Sequence, residues 1–460
     1  MKKVKFFIVL MLSSFLNAQV FDVETIKYSS DDNNRINLVI LSEGYQESEL
    51  ANFISDAEKF TSTMFAEAPF SNYTNYFNVY AVKVPSNESG ADRPSTNTYV
   101  DTYFNATHEA FGQPYLLYYE VDGYSANNTE AKILSVLADN TPNYDVGLIL
   151  VNSPDYGGSG GSFPMAYNGY WGNNVIMHEI GHSLFDLKDE YYPGDELAAE
   201  AINMTKETNP AAVKWKNWIN TNSVGIYQYT CDTGNCADWY KPHQNCIMEK
   251  IDKGFCSVCK EGMVAKIHEL VSPIDSYLPN SNTIEATDFP IDFSLSLIKP
   301  DPNTLESTWT LNNDIFASNL DEISINETDL IEGENTLVTA ITDNTSLIRI
   351  DNYETINIHT VTWSINYSTL GIETISSENN LSIKMYPNPT KNTINFSFEN
   401  GNNSNLKIEI ISLDGKRIKT LSLKNFETES VNISKLNAGV YLANFYSDNA
   451  LLSTKKLIKL

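Results

Sequence analysis

At 460 residues, with 31 basic against 58 acidic side chains and a formal charge of −27, the chain is too long for one compact core and too acidic to partner nucleic acid or an anionic membrane surface. Solubility outside the cell is the plainer meaning of that charge, and about three domains is the starting expectation.

Met1 to Gln19 opens with Lys2, Lys3 and Lys5, continues as an apolar run from Phe6 to Leu16, and reaches Asn17-Ala18 before Gln19. This is the pattern of a secretory signal peptide cut after Ala18. The run is too short to span a bilayer, no later stretch is long and apolar enough to do so, and no cysteine near the cut suggests a lipid anchor.

Arg35–Leu41 then reads as a buried strand, and Glu47–Phe65 as a helix with Leu50, Phe53, Ile54, Ala57, Phe60 and Met64 on one stripe. Tyr76–Val84 predicts a second strand, Glu130–Ala138 a second helix and Asp145–Val151 a third strand. Tyr156-Gly-Gly-Ser-Gly-Gly161 follows. It reads equally as a flexible loop or as a sheet edge on which an extended peptide could pair.

Next comes Val175-Ile-Met-His-Glu-Ile-Gly-His-Ser-Leu184. His178 and His182 lie four apart, so on a helix two imidazoles face one ion a turn apart, with Glu179 beside it as a general base. Two of the chain's six histidines fall here, flanked by Val175, Ile176 and Leu184, which suits a helix in a cleft wall. A solvated surface helix is the bland reading, and these apolar flanks count against it. Two imidazoles, a carboxylate and an open fourth position would favour Zn2+ over other metals.

The third ligand is harder to place. A His-Glu-x-x-His-x-x-Gly-x-x-His pattern would need Gly at Phe185 and His at Lys188. Asp189 and Glu190 follow, but an unbroken helix would carry Asp189 about 10 Å past His182. The helix must break between Ser183 and Lys188, where no Gly or Pro marks a break. A later acid such as Glu200 is the rival.

All five cysteines, Cys231, Cys236, Cys246, Cys256 and Cys259, lie downstream in one stretch. Export favours two disulfides with one Cys left over, in a pairing the sequence leaves open. A structural zinc on Cys256-x-x-Cys259 is the sharper alternative. Met248 could lie as an apolar floor beneath the metal or be plain core. Tyr191 and Tyr192 are candidates for oxyanion stabilisation, with ordinary packing as the default. Phe255–Cys259 and a helix to Leu270 would close the catalytic domain.

From Val271 the texture becomes alternating strands: Pro290–Leu297, Ser307–Leu311, Asn335–Ile341 and Thr360–Ile365. That spacing suggests an immunoglobulin-like β-sandwich over 271–366. A polar linker over 367–380 and a second small β-sandwich over 381–460 follow.

His178-Glu-Ile-Gly-His182 with Leu187 and Asp189-Glu-Tyr191 resembles the signature of the IgA-peptidase family of secreted bacterial zinc endopeptidases. Ser42-Glu-Gly-Tyr45, Pro69-Phe70, Phe77-Asn-Val79, Ser86-Asn-Glu-Ser-Gly90, Tyr156–Gly160 and Lys214-Trp-Lys-Asn-Trp218 resemble further blocks in the same order, over Glu24 to Leu270. The resemblance implies an acidic third ligand, carried over to Asp189. Met385-Tyr-Pro-Asn-Pro-Thr390, Leu436-Asn-Ala-Gly-Val-Tyr441 and the lysine-rich close resemble the C-terminal sorting domain of the type IX secretion system of Bacteroidetes. That resemblance implies the type IX secretion machinery as a partner and export through the outer membrane.

The expected architecture is an α/β zincin-like, metzincin-related catalytic domain (19–270) followed by two all-β sandwich domains. The expected activity is hydrolysis of peptide bonds in extracellular proteins or glycoproteins, with metal ligands His178, His182 and Asp189 and base Glu179. A glycopeptidase that needs a sugar near the cut is a variant. A surface adhesin that uses the zincin domain as a scaffold is the alternative.

Overall fold

The computed structural model describes residues 20–119, 128–232, 234–353, 357–368, 382–399, 406–413, 415–423, 428–447 and 450–460. The expected signal peptide and most of the expected linker lie outside them. Among the described residues no helix is long and apolar enough to cross a membrane. They form two compact units, one of residues up to 282 with 292–325 and 336–363, the other of 283–291, 326–335 and 364–460.

The first unit is built on a six-stranded sheet. Its strands are β1 (Asp22–Lys27), β2 (Ile36–Glu43) and β3 (Phe77–Lys83), then, after the short hairpin β4 (Thr107–His108) and β5 (Leu117–Tyr118), β6 (Val146–Val151), β7 (Gly158–Ser159) and β8 (Met165–Tyr167). The order is β1-β3-β2-β6-β8-β7. Strands β3, β2, β6 and β8 run parallel, and β1 and β7 close the two edges antiparallel. Every residue of β2 and of β6 is buried, as expected of central parallel strands covered on both faces, whose sequences are near-continuous apolar runs.

Four helices flank this sheet: α1 (Leu50–Met64), α2 (Thr129–Asn140), α3 (Gly172–Ser183) and α4 (Ser257–Leu270). Helix α1 buries Phe53, Ala57, Phe60, Thr61 and Met64, a single stripe at helical spacing. The predicted strands and helices of this half agree with the observed ones to within about three residues.

The block Ser42-Glu-Gly-Tyr45 is a structural clasp. Buried Glu43 accepts hydrogen bonds from Thr102 Oγ1 (2.6 Å), Phe104 N (2.8 Å) and Ala106 N (2.8 Å). Gly44 has φ +70°, and a Cβ there would lie 2.0 Å from the Gly90 carbonyl oxygen. Only glycine allows the two loops to meet.

Residues beyond 290 enter this same core. Ile298, Ile348 and Tyr353 pack with the sheet and helices. Buried Asp343 accepts from Tyr73 Oη (2.6 Å) and Thr304 Oγ1 (2.5 Å), and pairs with His268 Nε2 of α4 (2.8 Å). Around these contacts, Ile274–Leu278, Ile291–Leu297 and Glu322–Ile325 make one small sheet, and Leu305–Leu311 pairs with both Asp314–Ser318 and Gly333–Asp343.

In the second unit, Ser382–Tyr386, Thr393–Glu399 and Glu429–Asn432 form one sheet. Arg417–Leu423, Leu406–Ser412, Gly439–Ser447 and Ala450–Lys459 form the other. Their inward residues, among them Ile394, Phe396, Ile410, Ala443, Phe445 and Leu457, share one core. This is the two-sheet arrangement that the alternating pattern predicts.

Asp343→Ala should destabilise the first unit by about 3–5 kcal/mol, because it strands the buried Tyr73 and His268 donors and the half-buried Thr304 hydroxyl at once. Chemical denaturation of the full chain checks this.

Candidate metal centre and cleft

Helix α3 lies against the β8–β7 edge, and the glycines of Tyr156–Gly161 make room for it. A Cβ on Gly158 would meet Val175 Cγ1 at 2.3 Å, and one on Gly160 would meet Glu179 Oε2 at 3.0 Å. Gly158–Ser159 is an edge strand rather than a loop. Its outer side at Gly158 is already bonded to Tyr115 O (3.2 Å), which leaves Ser159 and Gly160 facing the cleft.

The two histidines sit on the last turns of α3. His178 Nδ1 bonds Ile247 O (3.0 Å) and His182 Nδ1 bonds Leu187 O (2.7 Å). A carbonyl accepts only, so each Nδ1 carries a proton, and in the neutral imidazole the lone pair is then on Nε2. The Nε2 atoms are 3.1 Å apart. Asp189 Oδ1 stands 3.1 Å from one and 3.2 Å from the other, and it is buried with no hydrogen-bond donor of its own.

With both imidazoles neutral, three lone pairs converge on one point. Tetrahedral zinc with bonds of about 2.0–2.1 Å needs donors about 3.3 Å apart. The set fits a divalent cation.

The helix break that brings Asp189 back is at Asp186, whose φ is +55°. The amides of Asp186 and Leu187 return to the carbonyls of His182 (3.1 Å) and Gly181 (2.9 Å), closing the helix end. Aspartate tolerates this left-handed backbone better than most residues. Beyond it the chain is pinned: Asn203 and Lys188 exchange two hydrogen bonds, Tyr229 Oη donates to Asp189 O (2.7 Å), and Glu190 N donates to Met248 O (2.7 Å).

Met248 is fully buried, and its Sδ would lie 2.9 Å from a Cβ on Gly181. The thioether thus floors the helix between the two histidines. Glu179 presents its carboxylate beside Gly158 and Gly160, within 4.8 Å of the ligating atoms of both histidines. Burial pushes its carboxyl up, and the two imidazoles partly offset this.

Of the two tyrosines, Tyr191 borders the cleft. Its phenol is pushed well up by burial and by its hydrogen bond to Asp189, with Glu179 and Tyr156 also near enough to be felt. Tyr192 instead bonds exposed Asp195. Glu200 is held by Lys214 (2.6 Å), Thr205 and the Lys206 amide, outside the donor triangle. Glu190 is fully buried and points away from the histidines, to the cysteines.

The expected two disulfides are one: Cys231–Cys236 is bridged, whereas Cys246, Cys256 and Cys259 are free and buried. The cleft in front of the histidines measures about 1230 Å³ and is bordered also by Lys188, Pro193, Leu197 and Lys266. The carbonyls of Ile247 and Leu187 are the functional groups that sequence reading missed, since every residue has one.

Asp186→Gly should leave stability within about 1 kcal/mol of the parent. Relief of the left-handed backbone is offset by glycine's greater freedom when unfolded. Asp186→Val should cost about 1–2 kcal/mol and weaken metal binding by displacing Asp189. Chemical denaturation and metal titration of both variants check this.

Residues 24–230 match the family IgA Peptidase M64, and residues 384–460 match the Secretion system C-terminal sorting domain. No curated protein matches the chain. Among solved structures, latent PorU from Porphyromonas gingivalis is 14% identical over 41% of this chain and 20% of that one, at TM-score 0.16. A β-glucuronidase of Faecalibacterium prausnitzii is 10% identical over 34% and 33%, at 0.15, and the fibronectin(III)-like modules of Clostridium thermocellum CbhA are 13% identical over 40% and 93%, at 0.15. The chain spans about a fifth and a third of the first two, and scores this low carry no argument about fold. The sorting domain marks the chain for type IX export to the cell surface or for release. The chain thus joins a region that matches IgA Peptidase M64 to a region that matches a secretion-system C-terminal sorting domain.

Proposed function

We propose that this chain is an exported zinc endopeptidase of zincin-like, metzincin-related fold that hydrolyses peptide bonds of an extracellular protein or glycoprotein. The observation that carries the reading is the convergence of His178 Nε2, His182 Nε2 and Asp189 Oδ1 within 3.1–3.2 Å of one another, with Glu179 alongside. These three would hold the ion. Bound zinc supplies Lewis acidity toward the scissile carbonyl and toward the attacking water.

The chain's own groups do the rest. Glu179, its carboxyl raised by burial, takes the proton of the attacking water and returns it to the leaving amine. The Tyr191 phenol, kept protonated by its surroundings, donates to the oxygen on which negative charge develops. Ser159 and Gly160 offer edge backbone against which an extended substrate aligns. The carbonyls of Ile247 and Leu187 behind the histidines hold the two imidazoles in place.

Glu179→Gln should lower kcat/KM on a susceptible protein about 10²–10⁴-fold with zinc content unchanged. Cleavage at the parent's rate would sink the mechanism. Tyr191→Phe should lower kcat about 10²–10³-fold with little change in KM, while Tyr192→Phe leaves both alone. Steady-state kinetics on the full chain read out all three.

A further inference from the structure

Behind the histidines, on the far side of the Asp189–Glu190 segment, four side chains from three places in the sequence meet. Cys246 Sγ lies 3.7 Å from Cys259 Sγ, Cys256 Sγ 3.7 Å from Glu190 Oε1, and Cys259 Sγ 3.3 Å from the same oxygen. All four donor atoms lie within 4.8 Å of one another, and all four residues are buried. Glu190 is completely enclosed, and its Oε2 has no hydrogen-bond partner. A buried carboxylate with an orphaned oxygen beside three thiols is costly unless a proton or a cation neutralises it, and the convergence of four donor atoms suits a cation.

A disulfide answers this poorly. Three thiols cannot pair completely, and bridging any two leaves Glu190 enclosed with one thiol and no counter-charge. Tetrahedral zinc with Zn–S of about 2.3 Å and Zn–O of about 2.0–2.2 Å separates its donors by about 3.5–3.8 Å, close to the spacings above. The surroundings also suit thiolates. Cys256 is the N-cap of α4 and Cys259 lies in its first turn, at the positive end of the helix dipole. Cys246 Sγ accepts from the Cys256 amide (3.3 Å), and Cys256 Sγ from the Cys259 amide (3.5 Å). Lys241 Nζ, paired with Glu249 (2.7 Å), holds the Glu190 carbonyl (2.5 Å) and so fixes the backbone of this segment.

We infer that Glu190, Cys246, Cys256 and Cys259 form a second zinc site, closed by four protein ligands and structural in role. Each thiol releases its proton to solvent on binding. The site positions the first centre from behind. Glu190 directly follows Asp189, and Cys246 directly precedes Ile247, whose carbonyl orients His178. One ion would therefore tie the third-ligand segment and the histidine-orienting segment to the start of α4. Three of the four ligands lie beyond the residues that match the peptidase family, and the inference does not depend on the proposed activity.

The test uses the full chain. Zinc-loaded protein, unfolded in guanidinium with a chelator and without reductant, should show three reactive thiols per chain, since the Cys231–Cys236 bridge contributes none. A His178→Ala/His182→Ala double variant should keep one zinc per chain by elemental analysis. Exchanged with Co2+, it should show the sulfur-to-cobalt charge-transfer absorption, and Cys256→Ser should abolish that band. A single reactive thiol in the parent, or a folded double-histidine variant without metal, overturns the inference. Thiol counting on the parent decides the matter even where Cys256→Ser does not fold. Loss of the histidine-bound ion alone would read differently, as a parent carrying one sulfur-bound zinc.

Discussion

A proton on Nδ1 of each histidine, held there by the carbonyls of Ile247 and Leu187, turns both Nε2 atoms toward Asp189 Oδ1. Were either carbonyl displaced, that imidazole could turn or take the other tautomer, and the three donors would no longer share one point. The two carbonyls both lie downstream of the histidines, at very different distances along the chain. Leu187 belongs to the turn that ends α3, and Ile247 to a segment more than sixty residues later that also supplies the Met248 floor. Much of the intervening structure, including Asn203, Tyr229 and Lys241, serves to hold those two strands of backbone and Asp189 in mutual register.

The cleft's other wall follows the same logic of close approach. Helix α3 stands next to the β7 edge because residue 158 has no side chain to meet Val175 and residue 160 none to crowd Glu179. The glycine-rich stretch is therefore a fitted surface rather than a slack loop. Its edge at Gly158 is taken by Tyr115, which leaves Ser159 and Gly160 bordering the cleft beside the carboxylate.

Reading the sequence reached the parts that repeat a periodic or spaced pattern. Buried runs such as Ile36–Leu41 and Val146–Val151, the stripe on α1 and the four-residue interval from His178 to His182 each encode local geometry directly. Asp189 became legible only through family resemblance, because the turn that delivers it depends on Asp186 adopting a left-handed backbone, and aspartate does so only in context. Glu200 remained an open rival for a related reason: nothing in its spacing reveals that Lys214 has already claimed it. The cysteines show the limit most plainly. Cys256-x-x-Cys259 is visible as a motif, but the partnership with Cys246 and Glu190 arises from tertiary packing that no local signal records.

The contact between Tyr73 and Asp343 spans 270 positions, and this bears on when the molecule becomes itself. A nascent chain synthesised as far as α4 has its central strands and the residues around its histidines, yet Tyr73 and His268 still lack the carboxylate that both require. Closing so long an interval is slow compared with forming helices or neighbouring parallel strands. The core of the first unit is thus a late assembly, completed only after downstream β-structure has emerged and folded back. Maturation of the site and completion of the downstream strands are one event.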